Sequence, residues 1–312
     1  MKKIIISLTI LMLLISAAYC SGTGTSSAAV LKIVPGPKPA SMGNAFMALS
    51  DDVNAIYLNP AGLAKLQATQ VLLTHNDYIA DMSYNYAAVA FKTKFVNCGV
   101  SALILDSGRI PQTIVSGLSY TKIGDYNAKD QVFQLACGVS QKKFDWGVSL
   151  KVIQQRIADM RASTFALDAG AKYFVKTESP VMPDIILSAA VYNFGNDMKF
   201  ETKNEKLPLT YKAGFGFDFK GLKGLTAEVD FSKPNDNDWI YNIGTEYEIE
   251  FSKGSLSLRA GFDSSNDADN GFTTGIGLKF NKLILKDVQL DYSFVPYGDL
   301  EDSHRMGLSF KF

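Results

Sequence analysis

The chain has 312 residues, with 31 basic side chains balanced by 31 acidic ones. That balance offers no concentrated basic surface, so it gives no case for nucleic acid. Beyond the first twenty residues, no apolar run reaches the roughly 20 residues that a membrane-crossing helix needs.

The chain opens with Lys2 and Lys3, followed by an apolar run over residues 4–18 broken by Ser7, Thr9 and Ser16. A basic start, a short greasy centre and small residues at its exit predict a secretory signal over residues 1–20, cleaved near Ala18 or Cys20. Tyr19 argues against Cys20 as a lipidated cysteine. Residues 21–69 form a second region, rich in small residues, Gly and Pro, with no period of two. Its apolar side chains, among them Leu31, Ile33, Met42, Phe46, Met47, Leu49, Ile56 and Leu58, predict a packed plug or hatch. Asp51 and Asp52 suit a cap on a short turn through Leu58. Asn59 suits a second N-cap, with Pro60 at the first helical position, where its missing N–H costs nothing.

From about residue 70 the sequence alternates, as strands do when successive side chains point to opposite faces. Trp239, Tyr241, Ile243, Tyr247 and Ile249 share one face, and Asn242, Gly244, Glu246 and Glu248 the other. The same rule runs through Phe144, Trp146, Val148, Leu150 and Val152, and through Met306, Leu308, Phe310 and Phe312. The predicted strands are 70–75, 84–93, 97–105, 131–140, 144–156, 163–175, 184–194, 208–219, 224–232, 238–250, 254–262, 271–280, 286–296 and 303–312.

A soluble sandwich also alternates. Four features favour a membrane instead: strand length matched to a tilted crossing, aromatics near the strand ends, a Gly-, Ser- and charge-rich second face, and the export signal. The aromatics are Phe144, Tyr173, Phe219, Trp239, Phe251, Phe280 and Tyr297. The expectation is an all-β protein: a transmembrane antiparallel β-barrel of about fourteen strands over 70–312, plugged by 21–69 and placed in the outer membrane. Connections should alternate, tight ones at 94–96, 141–143, 220–223 and 252–253, longer ones at 106–130, 195–207 and 263–270.

Residues able to carry chemistry are scarce. His75 and His304 are not in a metal-binding spacing. Ser119-Tyr120-Thr121-Lys122 matches Ser-x-x-Lys by letters but lacks the companion motifs. Asp263, Asn266, Asp267 and Asp269 fall short of a calcium loop and read as a solvated outer loop. Cys98 and Cys137, far apart in the chain, show no disulfide framework and read as small residues on the lipid side. Neither an enzyme nor a metal or cofactor is expected. Inward Lys151, Asp168, Lys172 and Arg259 suit lumenal charge pairs more readily than a guide for a carboxylate head.

Ser41-Met42-Gly43-Asn44-Ala45-Phe46-Met47-Ala48-Leu49-Ser50-Asp51-Asp52, followed by Ala55-Ile56-Tyr57-Leu58-Asn59-Pro60-Ala61-Gly62-Leu63, resembles the FadL-like outer-membrane superfamily. Ser26-Ser27-Ala28-Ala29-Val30-Leu31-Lys32-Ile33 is similar to the opening of its PorV/PorQ-type branch. The resemblance implies a fourteen-stranded barrel whose hatch carries the Asn-Pro-Ala of residues 59–61. It implies a channel for passive uptake of long-chain fatty acids or other hydrophobic small molecules. The alternative is a PorV-type scaffold for protein secretion or surface attachment, with secretion components as partners. The candidate ligand-binding or gating residues are Asn59, Pro60, Ala61, Phe46, Met47 and Leu49. Other expected partners are membrane lipid and, through the terminal strand ending at Phe312, the barrel assembly machinery.

Overall fold

The computed structural model describes residues 24–116, 119–200, 203–281 and 287–312. The expected signal peptide lies outside them. Alternation becomes strand at β1 (Gln70–Asp77), β2 (Ser83–Phe91), β3 (Asn97–Asp106), β4 (Ile110–Ser116), β5 (Ser119–Tyr126), β6 (Ala128–Gln141), β7 (Phe144–Ile157), β8 (Met160–Val175) and β9 (Asp184–Gly195). The second half adds β10 (Met198–Phe200), β11 (Lys203–Glu205), β12 (Thr210–Asp218), β13 (Leu225–Pro234), β14 (Ile240–Phe251), β15 (Gly254–Asp263), β16 (Phe272–Asn281), β17 (Asp287–Pro296) and β18 (Asp302–Lys311). Fourteen of these close an antiparallel barrel, and each neighbour in space is the next barrel strand in the chain. Closure falls between β1 and β18, paired from Gln70↔Lys311 to Asp77↔His304.

Two hairpins stand apart from the wall, β4–β5 and β10–β11. They occupy the long connections that the sequence reads as plain outer loops. Because side chains on both faces of β4–β5 are exposed, burial imposes no period of two on it.

The pleat sorts side chains by solvent. On β7, Trp146 and Val148 are 47% and 61% exposed, whereas Asp145, Ser149 and Lys151 are buried. An apolar outer face around a polar interior is the arrangement that hydrocarbon demands of a strand wall. Phe144 stacks on Trp146 and meets Tyr173 at a tilt at the short-turn rim, as a girdle should. Tyr297 departs from that expectation, turning inward against Tyr78 at 5.8 Å between ring centroids.

The cysteines also need correction. Cys98 and Cys137 are register partners on β3 and β6 and form a disulfide, although 39 residues separate them. The intervening β4–β5 hairpin is an excursion, so the two strands meet across it. Both side chains do lie on the outer face, beside exposed Val100 and Leu135.

Candidate functional site

The lumen is filled by the chain ahead of β1, which crosses it from the long-loop rim to the short-turn rim. At the long-loop rim, Ser27 N donates to Lys206 O at 2.9 Å, and Gly24 N to Asp236 O at 3.1 Å. Below lie a short turn at Ala29–Lys32, helix α1 (Pro37–Ser41), helix α2 (Ala55–Leu58) and a further turn at Pro60–Lys65.

A plug with so little regular structure leaves many backbone groups unpaired, and in a lumen they need partners. The wall supplies them. Leu49 N donates to Glu228 Oε2 at 2.8 Å, and Ala48 N donates to Glu228 Oε1. Lys172 Nζ donates to Ser50 O at 2.6 Å, Asn242 Nδ2 to Gly43 O at 2.7 Å and Gln134 Nε2 to Ile56 O at 2.7 Å. The inward polarity of the strands is therefore largely a mould for the plug backbone. On the β1–β6 side the contact is apolar instead, with Ile56, Leu63 and Leu66 packed among Leu72, Tyr84, Tyr86, Leu103 and Val132.

Inward glycines set how close the wall comes. A Cβ on Gly147 would lie 2.1 Å from Pro60 C, and one on Gly261 2.1 Å from Gly43 N. Gly138 and Gly170 extend the first contact to Pro60 and Asn59; Gly244 extends the second to Met42.

The six candidate residues lie in the plug body. Asn59 is fully buried, and its Oδ1 accepts from Ala61 N at 3.1 Å while its Nδ2 donates to Met47 O at 3.3 Å. Pro60 and Ala61 begin the turn that meets β7. Phe46 packs with Met42 and Leu58 under the Lys38 ammonium, 4.8 Å from the ring centroid. Met47 is fully buried, and the Leu49 side chain packs towards Gly216. Replacing Asn59 with alanine should weaken plug docking by about 1 kcal/mol, the usual worth of a capping side chain. Raised leak conductance in planar bilayers is the readout; unchanged conductance would argue against a docked plug.

None of the six lines the open space above the plug, a cavity of about 560 Å³. Its apolar side comes from Val30, Leu31, Ile33, Val34, Leu58 and Met82, its polar side from Lys151, Lys212, Arg305 and Asn193 together with the carboxylates of Asp130 and Asp263. Tyr192 and Asn193 both reach the lumen because a bulge opposite Leu167–Ala169 adds a residue to β9.

Charge pairing divides the cations. Lys151 Nζ lies 2.8 Å from Asp168 and 2.9 Å from Asn193 Oδ1, close to the faces of Tyr57 and Tyr192. Lys212 pairs with Asp230 at 2.9 Å, and Arg259 with Glu246 and Asp291. Lys151, Asp168 and Arg259 are thus occupied as structural pairs, and Lys172 as a plug donor. Arg305 differs. It is 3% exposed, its Nη1 donates to Val34 O at 2.7 Å and its Nη2 to the Tyr297 hydroxyl at 3.5 Å, and it lies over the Tyr84 ring. Its Nε has no partner, and no carboxylate among the described residues is within ion-pair distance. Arg305 alternates with Met306 and Leu308 and so falls on the inward face of the last strand, but the sequence alone gives it no role. The signal was a guanidinium on an inward face; that its register neighbours are Asn76 and Ser293, neither an acid, emerges only from the strand pairing.

The strap above the cavity hangs on Asp236, which takes Lys32 Nζ at 2.5 Å and two donors from Ser26. Burial alone would raise the Asp236 carboxyl, but the Lys32 ammonium and Ser26 donors outweigh it and hold it below its ordinary 3.8. The sign follows: this tie is intact above the ordinary value and is lost as pH falls through the lowered one. Asp236→Ala should therefore speed amide exchange over residues 26–31 at neutral pH, with wild type reaching the same state only below the ordinary carboxylate value. Equal exchange in both proteins at neutral pH would refute the tie.

No protein-family model matches the chain, and no curated protein matches its sequence. Solved structures do match. The Ralstonia pickettii toluene transporter TbuX superposes with a TM-score of 0.59 at 12% identity, covering 89% of this chain and 98% of that one. The P. putida toluene transporter TodX gives 0.56 at 11%, covering 94% and 99%. The CymD monoaromatic hydrocarbon channel gives 0.56 at 12%, covering 89% and 97%. At such identities what is shared is the fold: a closed barrel of the outer-membrane type.

Proposed function

We propose that the protein is an outer-membrane channel for passive uptake of hydrophobic molecules with an acidic head, long-chain fatty acids being the class that fits. The observation that carries this reading is Arg305, a buried guanidinium with no carboxylate in ion-pair contact at the edge of a cavity half lined by apolar side chains, with Asp130 and Asp263 the acids on the same cavity. An isolated buried charge is costly, and a ligand carboxylate would relieve it. The alkyl chain would lie along Val30, Ile33, Val34 and Leu58, where its exclusion from water provides the driving force. The fold shared with hydrocarbon channels supports the transport class; the arginine favours an acid over a neutral hydrocarbon.

Passage beyond the cavity requires the plug to move, and Asn59, Pro60 and Ala61 are the proposed hinge region because they hold it to β7 and β8. No catalytic step is part of the proposal. The test is binding of labelled oleate to the purified barrel in detergent. Saturable binding is expected; its absence, together with unchanged uptake in a deletion strain, would remove the reading.

A second reading, the PorV/PorQ-type scaffold for secretion or surface attachment, is favoured by one observation. On the β4–β5 hairpin, the cross-strand pair Val115 and Tyr120 is 82% and 78% exposed beyond the wall. Apolar side chains so displayed suit a protein partner. Affinity purification from intact outer membranes that recovers no secretion component or cargo would remove it.

A further inference from the structure

A second hollow lies outside the barrel. It is a concavity of about 800 Å³ in the outer wall across β15–β18 and β1–β3. Two features of the sequence produce it. Inside, Gly275 and Gly307 let the wall close on Ser41 and Pro37 of the plug, drawing the strands inward. Outside, one register row runs from Leu256 through Leu290, Leu308 and Leu73 into Ala87 and Ala102. Alanines at the end of a leucine row leave unfilled space.

The next rows towards the long-loop rim change character. His75 and Asn85 face outward with Nδ1 and Oδ1 2.8 Å apart, and His75 Nε2 is 3.3 Å from Asp77. On the neighbouring strands, the Tyr292 hydroxyl is 2.8 Å from His304 Nδ1, with their rings stacked and Phe294 alongside. Both histidines of the chain thus sit on this outer patch. Hydrogen-bonding side chains on a lipid-facing wall are expensive unless something satisfies them. No lysine or arginine is among the residues lining the hollow.

We propose that this hollow binds one membrane lipid with an uncharged, sugar-type head. The acyl chain fills the space over Ala87 and Ala102. The sugar packs on the Tyr292 and His304 rings and exchanges hydrogen bonds with Asn85 and Asp77. A wall facing the bilayer draws its occupant from the bilayer. Aromatic faces beside an amide and a carboxylate match a hydroxylated head, whereas the Asp77 carboxylate and the lack of lysine or arginine disfavour a phosphate. The site is separate from the lumenal cavity, so the transport reading does not depend on it.

The test is native mass spectrometry of the purified barrel released from mixed micelles. These hold equal amounts of diglucosyl diacylglycerol and of a phosphatidylethanolamine with the same acyl chains. The glucolipid adduct should dominate by about tenfold. Ala87→Leu with Ala102→Leu, which fills the hollow from the lipid side, should abolish the preference. Ala169→Leu, an equal change on the outer face of β8, should leave it intact, and Asn85→Ala should reduce it. Equal retention of both lipids would mean annular contact only and overturns the proposal. So would a preference that survives the filled variant, or a dimer that dissociates when the hollow is filled, because a second copy would then be the occupant.

Discussion

Arg305→Met should weaken oleate binding by between about tenfold and a hundredfold, while binding of oleyl alcohol stays within about twofold of wild type. The magnitude follows from the roughly 1.5–3 kcal/mol carried by a hydrogen bond to a charged group. The alcohol is the necessary control, because Arg305 also donates to Val34 O and its loss frees one point of the strap. Loosening of the strap would affect acid and alcohol alike; loss of a counter-charge affects only the acid. Equal losses for the two ligands would reduce Arg305 to a structural donor and leave no reason to prefer fatty acids over neutral hydrocarbons.

Gly147→Val should undock the plug. The new Cβ would meet the Pro60 carbonyl carbon and the Ala61 nitrogen at 2.1 and 2.2 Å, and both are backbone atoms with no rotamer to adopt. Overpacking in a well-filled interior costs about 1–3 kcal/mol, and a backbone obstacle belongs at the upper end. The expected result is a folded barrel with large conductance steps and a plug open to protease between residues 24 and 69. Gly124→Ala, on the β5 hairpin with its nearest neighbour at 3.7 Å, should change neither measurement. A closed, protease-resistant Gly147→Val protein would show that the plug does not depend on this approach.

The barrel itself was legible in the sequence because hydrocarbon outside and polar contacts inside impose a strict period of two on each strand. Each of the fourteen wall strands overlaps a span read from alternation alone, even 70–77 and 83–91, where the pattern is weakest. The weakness has a cause: Leu72, Tyr84, Tyr86 and Ala88 face inward against the apolar side of the plug, so both faces of β1 and β2 are apolar there. The β4–β5 hairpin escaped notice for the opposite reason, water on both faces.

What stayed hidden depends on register. Cys98 and Cys137 become neighbours only once β3 is known to pair with β6. The cavity assembles Val34, Tyr192 and Arg305 from the plug, β9 and β18, and no local pattern announces that they share a level. The motif residues 59–61 drew the eye by their letters, but the structure gives them to the underside of the plug, away from the open space.

Gly24 and Gln70 bound one continuous segment yet are secured at opposite mouths of the bore. The lower end is rooted covalently in the first strand; the described residues of the upper end are held by reversible bonds to loops and to Gln155 of β7. If the plug withdraws as the proposed function requires, the withdrawal would run in one direction, with the upper end hauled down past the Arg305 hollow as the lower part retreats. In the proposed channel, a ligand lodged there would be swept along the same route, so that unplugging and ligand movement would share a single stroke.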